Sequence, residues 1–170
     1  MAGTGAGAAA AVASLGPRPL LVHPWTGCGD CAACLRFEEN LCTKPQFMGV
    51  ARPGSFADDV IVPHPRSLVE IDGLDVAEAA PLAGAGVTPY SALRKFGARL
   101  HSDPVVIISA GGLGLMAISV LQALGGPGAI AVDLDPAKRQ AALAAGALIS
   151  GGLGLVADFG LLLECSRSIA

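Results

Sequence analysis

The chain has 170 residues with 11 Lys+Arg against 14 Asp+Glu, a formal net charge of -3, 52% hydrophobic and only 15% charged residues. Such a balance excludes a protein that coats phosphate backbones, which needs clustered cations, and an intrinsically disordered chain, which is far less apolar. Aromatics are 4% while Gly numbers 23, so the apolar content is mostly Ala, Val, Leu and Ile, the mix of an α/β sheet wrapped by helices.

Residues 1–19 open on a stretch without charged side chains, rich in Ala and Gly. Its first cation, Arg18, follows the apolar part, the reverse of a secretory signal, and its glycines oppose a helix, so an unstructured leader is expected. Residues 20–80 combine short extended runs with a cysteine-dense loop, and Phe56, Val60 and Val62, bounded by Pro and Gly, read as strand and edge material. From Asp75 helical stretches are broken at Pro81 and Gly84–Gly86, with Pro89 placed to open a helix reaching about Phe96. Residues 81–170 hold an apolar β-branched run, a glycine turn, an apolar helix, a second apolar run GAIAVDLD and the helix PAKRQAALAAG. That order predicts two parallel strands buried on both faces. The tail repeats ISAGGLGLMA as ISGGLGLVA; without an acidic strand end after the second copy it reads as no true repeat, and as too poor to add further strand–helix units.

No run is long and apolar enough to span a membrane. Cys28, Cys31, Cys34 and Cys42 stand too close together for two comfortable disulfides, and their short spacings suit four thiolates around one tetrahedral metal in a reducing, cytoplasmic setting. Four thiolates close the coordination sphere, so a zinc held there staples a lobe and leaves no open position for substrate. A nucleic-acid zinc ribbon is disfavoured because Arg36, Lys44 and Arg52 are offset by Asp30, Glu38 and Glu39. Glu38, Glu39, Asp58 and Asp59 read as solvated loop charges, His23, His64 and His101 as loop or surface residues, and Cys165 as a free thiol.

The second chemical signal is Gly111, Gly112, Leu113 and Gly114 between strand and helix, where unpaired amides and the helix dipole accept a pyrophosphate. Asp133 ends the next apolar run about twenty residues on, where a carboxylate accepts from a ribose diol. It would repel a 2′-phosphate, and Leu134 rather than Arg follows it, so NAD is favoured over NADP.

The segments HPWTGCGDCAACLRFEENLC, GSFADDVIVP, APLAGAGVTPYSAL, VVIISAGGLGLMAISVLQALG and AIAVDLDPAKRQAALAAGA together resemble the zinc-containing alcohol dehydrogenases of the medium-chain dehydrogenase/reductase family. The resemblance covers roughly residues 22–147. It implies a GroES-like β-rich lobe with structural zinc, then an incomplete Rossmann parallel sheet, and hydride transfer between a small alcohol or aldehyde and NAD, with a homo-oligomer allowed. By the same resemblance Cys28, Cys31, Cys34 and Cys42 hold the structural zinc, Thr88 lies near the nicotinamide, and Asp133 with Lys138 hold the adenosine ribose. Ser109 replaces the first glycine of the family's fingerprint, a change tolerable where φ is negative. The family's catalytic-zinc ligands have no counterpart: no Cys precedes Cys28, no Gly-His-Glu segment occurs, and Gly84 occupies the third position. The expectation is therefore a truncated member whose isolated chain is inactive, the alternative being a non-catalytic zinc- and nucleotide-binding fragment or pseudoenzyme.

Overall fold

The structure, a computed structural model, describes residues 18–152 and the strand 162–164. The expected leader up to residue 17 and Cys165 lie outside the described residues. The chain forms two compact units that divide between Gly84 and Ala85.

In the first unit β1 (Leu20–Val22) pairs antiparallel with β2 (Leu68–Glu70), Leu21 opposite Val69. Between them lie the short helix α1 (Ala32–Leu35) and a 3₁₀ turn at Glu39–Leu41, which shape the cysteine loop. Helix α2 (Val76–Ala79) follows, its first amides capped by the Asp75 carboxylate, which accepts from Ala77 and Glu78. Strand structure around Phe56, Val60 and Val62 is not formed. Phe56 and Val60 border an open apolar groove of about 730 Å³, lined also by Leu21, Val22, Met48 and Ala83. A strand needs a ladder partner for its backbone groups, and the one ladder among the described residues of this unit is the β1–β2 pair.

The second unit opens with α3 (Val87–Arg94). Pro89 sits in its first turn rather than at its first residue, where its missing N–H still leaves no intrahelical bond unmade. Next come β3 (Val105–Ile108), α4 (Gly112–Ala123), β4 (Ala129–Val132) and α5 (Pro136–Ala144). Strands β3 and β4 run parallel, Val105 opposite Ala129 and Ile108 opposite Val132. Every residue of β4 is buried, the burial of a strand covered on both faces. On one face Val105, Ile107, Ala129 and Ala131 join Ala117, Ile118 and Leu121 of α4, with Leu93 from α3 and Ala142 from α5, in one core. Val106, Ile130 and Val132 point to the other face.

The tail does more than the sequence promised. Strands β5 (Ile149–Gly151) and β6 (Leu162–Glu164) add on opposite sides, giving the parallel order β5-β4-β3-β6. A three-residue ladder suffices to extend an edge that a buried central pair has already built.

Candidate metal centre and nucleotide turn

Cys28, Cys31, Cys34 and Cys42 converge, and their sulfurs all lie within 4.8 Å of one another. The contacts Cys31 to Cys34, Cys31 to Cys42 and Cys28 to Cys34 measure 3.5, 3.8 and 3.9 Å. A regular tetrahedron with zinc–sulfur bonds of about 2.3 Å has edges of about 3.8 Å, so the four thiols fit zinc in size as well as in donor type. The amides of Cys28 and Lys44 donate to Cys42 Sγ at 3.3 Å each, stabilising a thiolate at that corner. The Cys31 thiol is lowered to about 6, first by the amide of Cys34 and then by its thiol. The Cys28 thiol is pushed up to about 12, chiefly because it donates to the Asp30 carboxylate, which is lowered in turn. Cluster and carboxylate thus retain a proton that a bound cation would displace.

Gly27, read from the sequence as permitting the tight backbone here, does so by proximity: a β-carbon on it would lie 2.3 Å from Cys34 Sγ, so glycine is what lets the backbone pass beside the sulfurs. One feature of this loop escaped the sequence reading: Glu39, expected to be a solvated charge, has a side chain only 19% exposed and pairs with Arg66. That bond joins the 3₁₀ turn of the cysteine loop to the residues just before β2. His64 is part of the same connection, its Nδ1 accepting from the Arg66 amide. Nearby, the single tryptophan, Trp25, meets Phe47 edge-on at 5.1 Å and donates from Nε1 to the Ala83 carbonyl at 2.9 Å.

In the second unit Gly111 is the N-cap of α4, and Gly112, Leu113 and Gly114 make its first turn. A β-carbon on Gly112 would meet nothing within 4 Å, whereas one on Gly114 would lie 1.9 Å from the Ser109 carbonyl oxygen. Gly112 therefore leaves space over the helix amides, and Gly114 lets strand and helix close up. Ser109 departs from expectation: its φ is +80°, in the region that favours glycine. The fold holds it there between the Val132 carbonyl, which accepts from the Ser109 amide at 2.7 Å, and the close approach of α4.

Asp133 meets this turn directly. Its Oδ2 accepts from the Ala110 amide at 2.8 Å, and its Oδ1 from the Asp135 amide at 2.9 Å. Those bonds, the Asp135 amide foremost, hold its carboxyl below the ordinary carboxylate range, with the Lys138 cation assisting. Each carboxylate oxygen has a further lone pair for a ribose hydroxyl. Lys138 is exposed on α5, and Thr88 is exposed in the first turn of α3. The glycine turn, Asp133 and Lys138 are thus gathered at one end of the β3–β4 pair, the end where α/β sheets bind nucleotides.

No family model matches the chain. Among curated proteins it is 42% identical over 126 residues to an NAD-dependent alcohol dehydrogenase of Sulfurisphaera tokodaii, covering 74% of this chain and 36% of that protein. An alcohol dehydrogenase of Geobacillus stearothermophilus is 37% identical over 132 residues, covering 73% of this chain and 37% of the relative. Among solved structures, the D-arabinose dehydrogenase from Sulfolobus solfataricus superposes with a TM-score of 0.70 at 30% identity, over 78% of this chain and 42% of that one. The alcohol dehydrogenase of Aeropyrum pernix gives 0.65 at 30% identity, over 79% and 40%. The chain thus spans little more than a third of the length of the curated relatives it matches. Among the described residues no helix is long and apolar enough to cross a membrane.

Proposed function

Because the chain belongs to the zinc-containing alcohol dehydrogenases of the medium-chain dehydrogenase/reductase family, as part of the GroES-like lobe followed by an incomplete Rossmann sheet, we propose that it carries the structural-zinc loop and the adenosine half of the NAD site of an oxidoreductase acting on a small alcohol or aldehyde. The observation that carries this reading is the Asp133 carboxylate, fixed at 2.8 Å against the Ala110 amide at the mouth of the glycine turn.

NAD, when bound, supplies the acceptor for hydride. The chain's own part is to bind and orient it. The first-turn amides of α4 would hold the pyrophosphate, since a β-carbon on Gly112 would meet nothing within 4 Å and leaves room for its approach. Asp133 accepts from the adenosine ribose hydroxyls, Lys138 supplies a cation beside them, and the carboxylate disfavours a 2′-phosphate. Thr88 is assigned to the nicotinamide end by the family pattern alone. In the first unit Cys28, Cys31, Cys34 and Cys42 hold zinc in a closed sphere, with a structural role. Thiolates kept for a metal suit the reducing cytoplasm, and the family's habit favours a homo-oligomer.

Calorimetric titration tests the nucleotide site. NAD binds the full chain, Asp133→Asn weakens it, and NADP binds less well than NAD. Equal affinity of the wild-type chain for NAD and NADP would count against the Asp133 assignment. A second reading, a zinc- and nucleotide-binding chain without turnover, is favoured by Gly84, which stands where relatives of the zinc type place a metal ligand. Alcohol-dependent reduction of NAD by the purified chain separates the two: turnover sustained by a second, exchangeable zinc supports the enzyme, and binding without turnover supports the alternative.

A further inference from the structure

The loop from β4 to α5 carries Asp133, and its geometry depends on a residue that the family pattern does not assign. Arg139, the fourth residue of α5, turns its guanidinium back along the helix, and its Nη1 donates to the carbonyls of Asp133 at 3.0 Å and Leu134 at 2.9 Å. Other bonds in the loop fix the Asp133 carboxylate and the helix start, through the Ala110 and Asp135 amides at 2.8 and 2.9 Å, but among the side-chain bonds of the described loop only those of Arg139 reach the carbonyls of Asp133 and Leu134. The Asp133 amide donates to the Gly151 carbonyl at 3.1 Å, and the Asp135 carboxylate caps α5 through the Ala137 amide at 2.8 Å. Helical rise explains how Arg139 reaches so far: one turn into α5 its side chain slants toward the N-terminus, over the residues that precede the helix. The guanidinium is half-buried and engaged with main-chain oxygens. Lys138, on the neighbouring position, is the cation that acts on the Asp133 carboxylate.

We propose that Arg139 is a positioning residue for ribose recognition: by gripping the carbonyls of Asp133 and Leu134 it fixes the main chain from which the Asp133 carboxylate is aimed at the nucleotide. The inference rests on the proposed NAD site. A charge-assisted bond to a carbonyl is stronger than a neutral one, and two from one planar group restrain both position and orientation of the peptide between them. Arg139 therefore acts on discrimination rather than on charge attraction, and its cation is committed to carbonyls instead of being available to a 2′-phosphate.

The test compares NAD with the NAD analogue lacking the adenosine 2′-hydroxyl, titrated calorimetrically into the full zinc-loaded chain. Wild type prefers NAD by about tenfold, the value of one hydrogen bond to a carboxylate. In Arg139→Met this preference falls toward unity. Arg139→Lys, which keeps a cation able to reach one carbonyl, gives an intermediate preference, and it serves also if the Met variant folds poorly. A variant that loses affinity for both nucleotides equally, with the wild-type preference intact, overturns the inference, because simple loosening of the unit would act that way. A wild-type chain that binds both nucleotides equally, or neither, removes instead the assignment of Asp133 to the ribose, and this inference falls with it.

Discussion

Ser109 and Gly114 show how closely the nucleotide turn is packed. The Ser109 carbonyl oxygen occupies the place of a β-carbon on Gly114, so Gly114→Ala must push strand and helix apart; we expect a loss of about 1–3 kcal/mol in urea unfolding. Ser109→Gly works in the opposite direction. With φ at +80° the serine is strained by about 1 kcal/mol relative to glycine, and the substitution raises the unfolding midpoint, less the extra freedom glycine has in the unfolded chain. Asp133 gives a pH signature. Its folded-state pKa is depressed by the amides of Asp135 and Ala110, so its stabilisation is complete above the ordinary carboxylate value, about pH 4, and is lost as pH falls through the lower folded value. The stability gap between wild type and Asp133→Asn is therefore flat from neutral pH to about pH 4 and narrows below it, and a gap that stays constant as pH falls further would mean that the carboxylate charge does not matter to the fold. None of this was visible in the glycine pattern. The sequence placed a strand, a turn and a helix there, but φ at Ser109 is set by the Val132 carbonyl and by α4, partners that only the folded sheet brings together.

Elements built from burial were legible, whereas elements built from pairing were not. VVII and AIAV are β-branched or small and uninterrupted, and their fate as β3 and β4 follows from composition because both faces are covered. Phe56, Val60 and Val62 are as apolar, yet no ladder forms around them among the described residues, since strand formation depends on a neighbour that no local pattern specifies. The cysteine loop was legible for a third reason: metal-ligand spacing is a local property. Its regular structure amounts to one four-residue helix and a 3₁₀ turn, too little to hold four sulfurs together unaided. On the proposed reading a bound zinc would be the element's principal restraint. One zinc per chain is expected, and its removal by a chelator should convert slow thiol labelling at Cys28, Cys31, Cys34 and Cys42 into fast labelling. Gly27→Ala should lower zinc stoichiometry without chelator, since its β-carbon collides with Cys34 Sγ. Full metal retention in that variant would show that the loop adapts.

Across the whole chain the two units differ in what holds them. Among the described residues, the buried apolar side chains of the first unit are Cys34, Ile71 and Ala79, while the second has the sheet, its helices and a continuous core. Hydrophobic burial dominates stability where it is extensive, so the second unit leans on its core, and the first, on the proposed reading, would lean on a bound metal. Each unit also carries one of the two proposed binding sites and its own reporter. Trp25 belongs to the first, and the long helices α4 and α5 that govern far-ultraviolet dichroism belong to the second. Urea unfolding followed by tryptophan fluorescence and by dichroism should therefore give two non-coincident transitions. Chelation moves the fluorescence transition to lower urea and leaves the dichroism transition in place. NAD at a hundred times its dissociation constant does the converse, strengthening the second transition by about 2.7 kcal/mol. If zinc and NAD each shift both transitions by equal amounts, the units unfold as one, and the assignment of one ligand to each must be replaced by a single cooperative structure that both ligands stabilise.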